Sequence, residues 1–164
     1  TTLHDNKQWQ RYAHSYAGIG LTADASIEYS KIRMNRINEL LVSVKAIYGS
    51  QRSEVLIDGI AHTYDSLVFS NINRLAKMFS LSEASRVDDG KFEVISLQSK
   101  TKVELLQQLA KALTAPYEDL SHASHFKFTT TKKQLIQLDG EVFTLESGTD
   151  VSVESIPRAL RCIV

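Results

Sequence analysis

The sequence predicts a mainly β fold, an antiparallel β-sandwich carrying two or three α-helices. Three observations carry this expectation. First, three of the seven glycines follow aspartate, at Asp58-Gly59, Asp89-Gly90 and Asp139-Gly140. Asp-Gly between apolar segments is a favoured two-residue hairpin turn, because both central residues accept positive φ. Second, short β-branched and aromatic runs recur along the chain, while few segments keep a helical period. Third, a series of hairpins leaves one apolar face per sheet, and two such faces bury best against each other.

Taken in order, residues 12–17 read as a strand that enters the glycine turn Gly18-Ile19-Gly20. Residues 22–35 are expected to be helical. Ile37, Leu40, Leu41, Val44, Ile47 and Tyr48 recur at helical spacing and stop at Gly49, the pattern of an amphipathic helix with its terminator. Val55-Leu56-Ile57 before Asp58-Gly59, with 60–64 after it, predicts a hairpin, followed by strands at 67–70 and 92–97. Thr101-Lys102-Val103-Glu104 is a capping box. Val103, Leu106, Leu109, Ala110 and Leu113 then share one helix face, and Pro116 lies past its end. A strand at 126–130 precedes the clearest hairpin, Leu135-Ile136-Gln137-Leu138 and Val142-Phe143-Thr144-Leu145 around Asp139-Gly140. Strands at 151–153 and 159–164 complete the series, and the whole of 1–164 reads as one domain.

Composition narrows the functions. Nineteen Lys and Arg balance nineteen Asp and Glu, so the net charge is zero, which argues against a bulk electrostatic hold on nucleic acid. The single cysteine, Cys162, rules out an intrachain disulfide and any cysteine-based zinc site, so a cytoplasmic setting is the expectation. No stretch approaches the ~20 apolar residues of a membrane span. The chain begins without methionine, which fits processing, trimming or a cut within a longer protein.

Several motifs bear on chemistry. Gly18-Ile19-Gly20-Leu21-Thr22-Ala23 matches G-x-G-x-x-A, with Glu39 at the distance of a ribose-binding acid, so a small dinucleotide-binding oxidoreductase is one alternative. A tight strand-to-helix turn is the plainer explanation, since hairpins rather than βαβ units follow. His122-Ala123-Ser124-His125 could supply half of a metal site, although His4, His14 and His62 are scattered. Lys31, Arg33, Arg36, Lys45, Arg52, Arg74 and Lys77 make 31–77 locally basic, either as a solvated face or as phosphate contacts. Two acidic corners, Asp88-Asp89-Gly90 and Asp139-Gly140-Glu141, place carboxylates at tight turns where they can meet a hard cation such as Mg2+. Good turn chemistry alone would produce the same pattern.

The order of segments adds a resemblance. Val87-Asp88-Asp89-Gly90-Lys91-Phe92-Glu93-Val94, then Leu138-Asp139-Gly140-Glu141, then Pro157-Arg158-Ala159-Leu160-Arg161-Cys162-Ile163-Val164 resemble the C-terminal domain of the diacylglycerol kinase, sphingosine kinase and bacterial lipid kinase superfamily, related to NAD kinases. Ser15-Tyr16-Ala17-Gly18-Ile19-Gly20-Leu21-Thr22-Ala23 resembles the opening of that domain, and Asn71-Ile72-Asn73 resembles a further family segment. The resemblance implies a β-sandwich whose partner, an N-terminal α/β domain, carries a G-G-D-G-T motif that binds nucleotide phosphates and holds an aspartate that acts as base. G-G-D-G-T is absent here, so the chain corresponds to the second half of such a kinase, or to a relative without the first.

By the same resemblance, Asp139 and Glu141 face the interdomain cleft and help hold MgATP or orient the acceptor hydroxyl. Asp89 holds a structural Mg2+ with backbone carbonyls near Arg86 and Lys91. The implied reaction moves the ATP γ-phosphoryl group to a lipid hydroxyl, and the isolated chain should be inactive. Residues 21–48 either line an apolar lipid groove or serve as ordinary core. The implied partners are the lipid, the N-terminal kinase domain and, peripherally, a membrane; exposed sheet edges would also allow a homo-oligomer. The alternative is a non-catalytic module of this fold that binds lipid or metal, or self-associates.

Overall fold

In a computed structural model, described over residues 2–5, 7–24, 48–72, 74–75, 79–80, 89–114 and 120–157, the chain builds two six-stranded sheets. The first runs β2-β1-β14-β11-β4-β5, with β1 Thr2–Asp5, β2 Lys7–Gln10, β4 Ser53–Ile57, β5 Ile60–Tyr64, β11 His125–Thr130 and β14 Asp150–Glu154. The second runs β10-β9-β6-β3-β12-β13, with β3 Tyr16–Gly20, β6 Ser66–Ser70, β9 Phe92–Leu97, β10 Leu120–Ala123, β12 Gln134–Leu138 and β13 Glu141–Leu145. A two-stranded piece pairs β7 Arg74–Leu75 with β8 Phe79–Ser80. Every pairing in both large sheets is antiparallel.

The turns explain the hairpins. Asp58 and Gly59 have φ of 51° and 80°, and Asp139 and Gly140 have 48° and 98°. Positive φ at both central residues matches the right-handed twist of the strands they join. The strand alternation then builds the core. Ala17 and Ile19, Leu67 and Phe69, Phe92 and Val94, and Ile136 and Leu138 point from the second sheet toward Val55, Phe128, Val151 and Val153 of the first. Phe69 sits at the centre of an aromatic group with Phe92, Phe126 and Phe128, at ring distances of 5.0 to 6.2 Å. The outer face of the second sheet carries a smaller cluster. There α1, Lys102–Thr114, buries Leu105 against Leu21 and Leu97. Thr101 caps this helix by accepting from the Glu104 amide at 3.1 Å, while the Glu104 carboxylate accepts from the Lys100 amide at 2.6 Å.

Some expectations shift. The strand expected at 12–17 starts at Tyr16 and continues through Gly20. The polar β1 and β2 and the short β10 had no apolar alternation to announce them. The G-x-G-x-x-A stretch is a strand-to-helix turn. Gly20 has φ of 77°, residues 21–24 are helical, and the Leu21 amide donates to the Asp65 carbonyl at 2.9 Å. Because β3 is antiparallel to both β6 and β12, it cannot open a βαβ dinucleotide unit, which needs parallel strands. The helices expected within 22–35 and 37–48 fall largely outside the described residues, as does the strand expected at 159–164. Of the residues proposed to line an apolar groove, Leu21 is described and is core. Among the described residues, no helix is long and apolar enough to cross a membrane.

Candidate functional site

Strand register brings the two acidic corners to one rim of the second sheet. Glu93 of β9 faces Ser70 of β6, Ser70 faces Tyr16 of β3, and the Asp139 amide donates to the Tyr16 carbonyl at 3.0 Å. The rim therefore carries, side by side, the start of β9, the exit of β6, the entry to β3 and the β12–β13 turn. Asp89-Gly90 lies just before β9 and Asp139-Gly140-Glu141 forms that turn. Three inter-strand steps, about 14 Å, separate the strands β9 and β12 that lead to the two corners.

Asp139 is held by the rim itself. Its Oδ1 accepts from the Ser15 and Tyr16 amides, both at 2.9 Å, and its Oδ2 accepts from the His14 amide at 2.7 Å. The His14 ring adds a fourth contact, Nδ1 to Oδ2 at 2.7 Å. A carboxylate has about four lone-pair positions, so this one is fully engaged within the chain. The side chain locks the turn onto the entry of β3. Tyr16 continues the network: its hydroxyl accepts from Gln137 Nε2 at 2.8 Å. Burial pushes the Tyr16 phenol above its usual 10.0; the Gln137 bond opposes the shift and the Asp139 charge adds to it.

Glu141 and Asp89 are differently placed. Glu141 is exposed at the first position of β13. Asp89 is exposed too, and one of its oxygens accepts from the Lys91 amide at 2.9 Å, which shapes the corner. Its other oxygen can serve a hard cation, with backbone carbonyls and water completing the shell. Asp88 and Arg86 lie outside the described residues. Gly90, at φ of 74°, packs near Pro157, so the Asp89 corner rests against the segment that leaves β14. Between the sheets at this rim, a cavity of about 90 Å3 has an apolar floor of Phe69, Phe92 and Val153, with Ser15, Asn71 and Ser155 among its polar walls.

The remaining histidines separate. His122 lies on β10 of the second sheet and His125 on β11 of the first, so the H-A-S-H stretch is split between the two sheets. His122 Nε2 lies 3.9 Å from the buried Glu93 carboxylate, and His125 Nε2 lies 3.0 Å from Ser152 Oγ. No group of three potential metal-binding side chains occurs among the described residues. Of the basic residues in 31–77, Arg52 is described with its side chain. Its Nε donates to Asp65 at 3.3 Å and its guanidinium also to the Ser99 carbonyl, a structural role at the far end of the second sheet. Sequence reasoning missed His14, which lies 125 positions from its partner Asp139; no local spacing signals such a pair.

No protein family model matches the chain, and no curated protein matches it. Solved structures do. A diacylglycerol kinase from Bacillus anthracis str. Sterne aligns with 97% of this chain over 57% of its own length, at 15% identity and a TM-score of 0.52. Two further structures from the same organism, provisionally designated diacylglycerol kinases, align with 93% of this chain at 15% identity. Their TM-scores are 0.54 and 0.52, over 51% and 53% of their lengths. The chain thus shares its fold with diacylglycerol kinase-like proteins and spans about half the length of each.

Proposed function

We propose that this chain is the β half of a lipid kinase, which receives a lipid hydroxyl and a metal-bound nucleotide at the rim of its second sheet. The observation that carries the proposal is the convergence of Asp89, Asp139 and Glu141 on that one rim, within a fold shared with diacylglycerol kinase-like structures. Phosphoryl transfer depends mostly on positioning and on neutralising a highly charged group. A rigid hairpin supplies such positioning.

The residues divide the work. Asp139 fixes the β12–β13 turn, so its contribution is to position Glu141, the exposed carboxylate beside it. Glu141 meets MgATP or the acceptor hydroxyl. Asp89 holds a structural Mg2+ at the neighbouring corner, where one carboxylate oxygen, carbonyls and water suit a hard cation. When bound with the nucleotide, Mg2+ neutralises charge on the phosphate oxygens. The small apolar-floored cavity at the same rim suits the part of the lipid next to its hydroxyl. Nothing on this chain offers a glycine-rich phosphate loop, so the nucleotide phosphates are bound by a second domain, which is the partner this proposal requires. Membrane contact would be peripheral and follow the lipid.

A lipid phosphorylation assay with ATP and Mg2+ tests the division of labour. The protein at its native length is expected to phosphorylate a lipid alcohol, and the isolated 164-residue chain is not. Robust turnover by the isolated chain would show that the nucleotide site lies within it.

A further inference from the structure

The first sheet ends on a strand with one neighbour. Among the described residues, β5 (Ile60–Tyr64) pairs with β4 alone and forms the outer edge of the order β2-β1-β14-β11-β4-β5. The turn before it settles which backbone groups that edge presents. Asp58 and Gly59 make a two-residue turn with φ of 51° and 80°. Ile57 and Ile60 therefore close the hairpin as a hydrogen-bonded pair, and such pairs alternate along the ladder from there. With Val55 opposite His62 and Ser53 opposite Tyr64, the amides and carbonyls of Ile60, His62 and Tyr64 are engaged by β4. Those of Ala61 and Thr63, both exposed residues, point away from the sheet.

Proteins usually blunt such an edge with charge, proline or a bulge, because it is a template for another strand. β5 carries none of these. Its sequence, Ile-Ala-His-Thr-Tyr, holds no Lys, Arg, Asp, Glu or Pro, and its register with β4 is unbroken. Ile60 is 64% exposed. Two of the other edges contain a charge, Lys7 on β2 and Glu141 on β13. From this we infer that β5 is a dimerisation edge, and that its partner is β5 of a second copy of this chain. The strand is complementary to itself. Antiparallel pairing about a two-fold axis at His62 sets Ala61 against the partner's Thr63 and Thr63 against the partner's Ala61. Each of these pairs exchanges two hydrogen bonds, using the groups that β4 leaves free. Side chains match in the same register. Ile60 shares a face with the buried Tyr64, so it meets the partner's Tyr64 across the strands and gains cover there. The same patch serves both copies, so the contact closes at two, and one continuous sheet runs through both. Five residues a side fall well short of the roughly 20 to 30 of a standard interface, so the dimer is weak and forms at micromolar concentration or above. The inference is independent of the kinase reading.

Sedimentation equilibrium of the native-length protein, from micromolar to millimolar concentration, tests it together with amide hydrogen exchange at both ends of that range. A reversible monomer–dimer equilibrium is expected, and exchange at the Ala61 and Thr63 amides should slow as the dimer forms. Two variants separate this edge from every other surface. Thr63→Pro removes an outward amide from each copy and leaves the bonds to β4 in place. His62→Lys sets two cations opposite each other at the axis. Each is expected to raise the dissociation constant by about 10-fold or more, while the dilute protein melts with the parent. If one variant melts early, the other decides, together with the amide exchange. A protein that stays monomeric at millimolar concentration overturns the inference. So does a dimer that both variants leave intact, or one in which Ala61 and Thr63 exchange at the same rate at every concentration.

Discussion

Replacing Asp139 with glycine isolates what its carboxylate contributes. Glycine accepts the φ of 48° at this position without strain, so the turn itself survives. The change removes the acceptor of three amides, of which those of Ser15 and Tyr16 are part-buried. A hydrogen bond to a charged acceptor contributes about 1.5 kcal/mol, so losing these two costs about 3 kcal/mol. The amide and ring of His14 are exposed and rehydrate, adding little. Greater freedom of the unfolded chain adds up to about 1 kcal/mol. For a chain of this size the total lowers the melting temperature by about 6 to 16 °C. Asp139→Asn keeps tolerance of positive φ and one acceptor oxygen for Ser15 and Tyr16, so about half of that loss is expected. Calorimetry or urea unfolding reads both. If both variants stay within about 0.5 kcal/mol of the parent, Asp139 does not hold the turn to β3 and the positioning role falls.

Other perturbations have defined outcomes. The Tyr16 phenol is raised by burial, so its contribution is intact below the usual phenol value near 10.0 and is lost as pH rises through the folded value. Tyr16→Phe should therefore flatten the fall in stability above that pH, with Tyr64, also raised by burial, keeping part of it; an unchanged slope would contradict the burial argument. Gly20→Ala should cost about 3 kcal/mol or more, since positive φ and a collision with the Asp65 carbonyl act together; a loss below about 1 kcal/mol would show that the turn can relax. Arg52→Ala removes the cation beside Asp65, whose side chain is 2% exposed and also bound by the Ser99 amide and hydroxyl. The expected cost is about 2 kcal/mol, below that of a fully buried pair because Arg52 is half-exposed. A neutral effect in chemical unfolding would mean that Ser99 alone satisfies the carboxylate.

The parts of the fold that were legible are those where local chemistry is strong. Asp58-Gly59 and Asp139-Gly140 each demand two positive φ values, and the apolar alternation around them sets which face turns inward. Thr101 and Glu104 mark a helix start for equally local reasons. The polar strand β1 was illegible because it pairs with β14, some 150 residues away, and the edge strand β2, which pairs with β1, has no apolar alternation to mark it. The site divides in the same way. The acidic corners could be picked out as turns, but nothing local says that they share a rim, since that depends on the order β9-β6-β3-β12. The saturation of Asp139 by His14, Ser15 and Tyr16 was equally hidden. Those contacts are the reason the proposed function gives Asp139 the part of positioning Glu141.

Glu141→Ala in the native-length protein, assayed for lipid phosphorylation beside a melting curve, probes the proposed rim most directly. Glu141 is exposed, so the variant should melt with the parent while its kcat falls by about 100-fold, the scale of losing one positioned electrostatic group. Full turnover in a variant that folds normally would place the chemistry away from this rim.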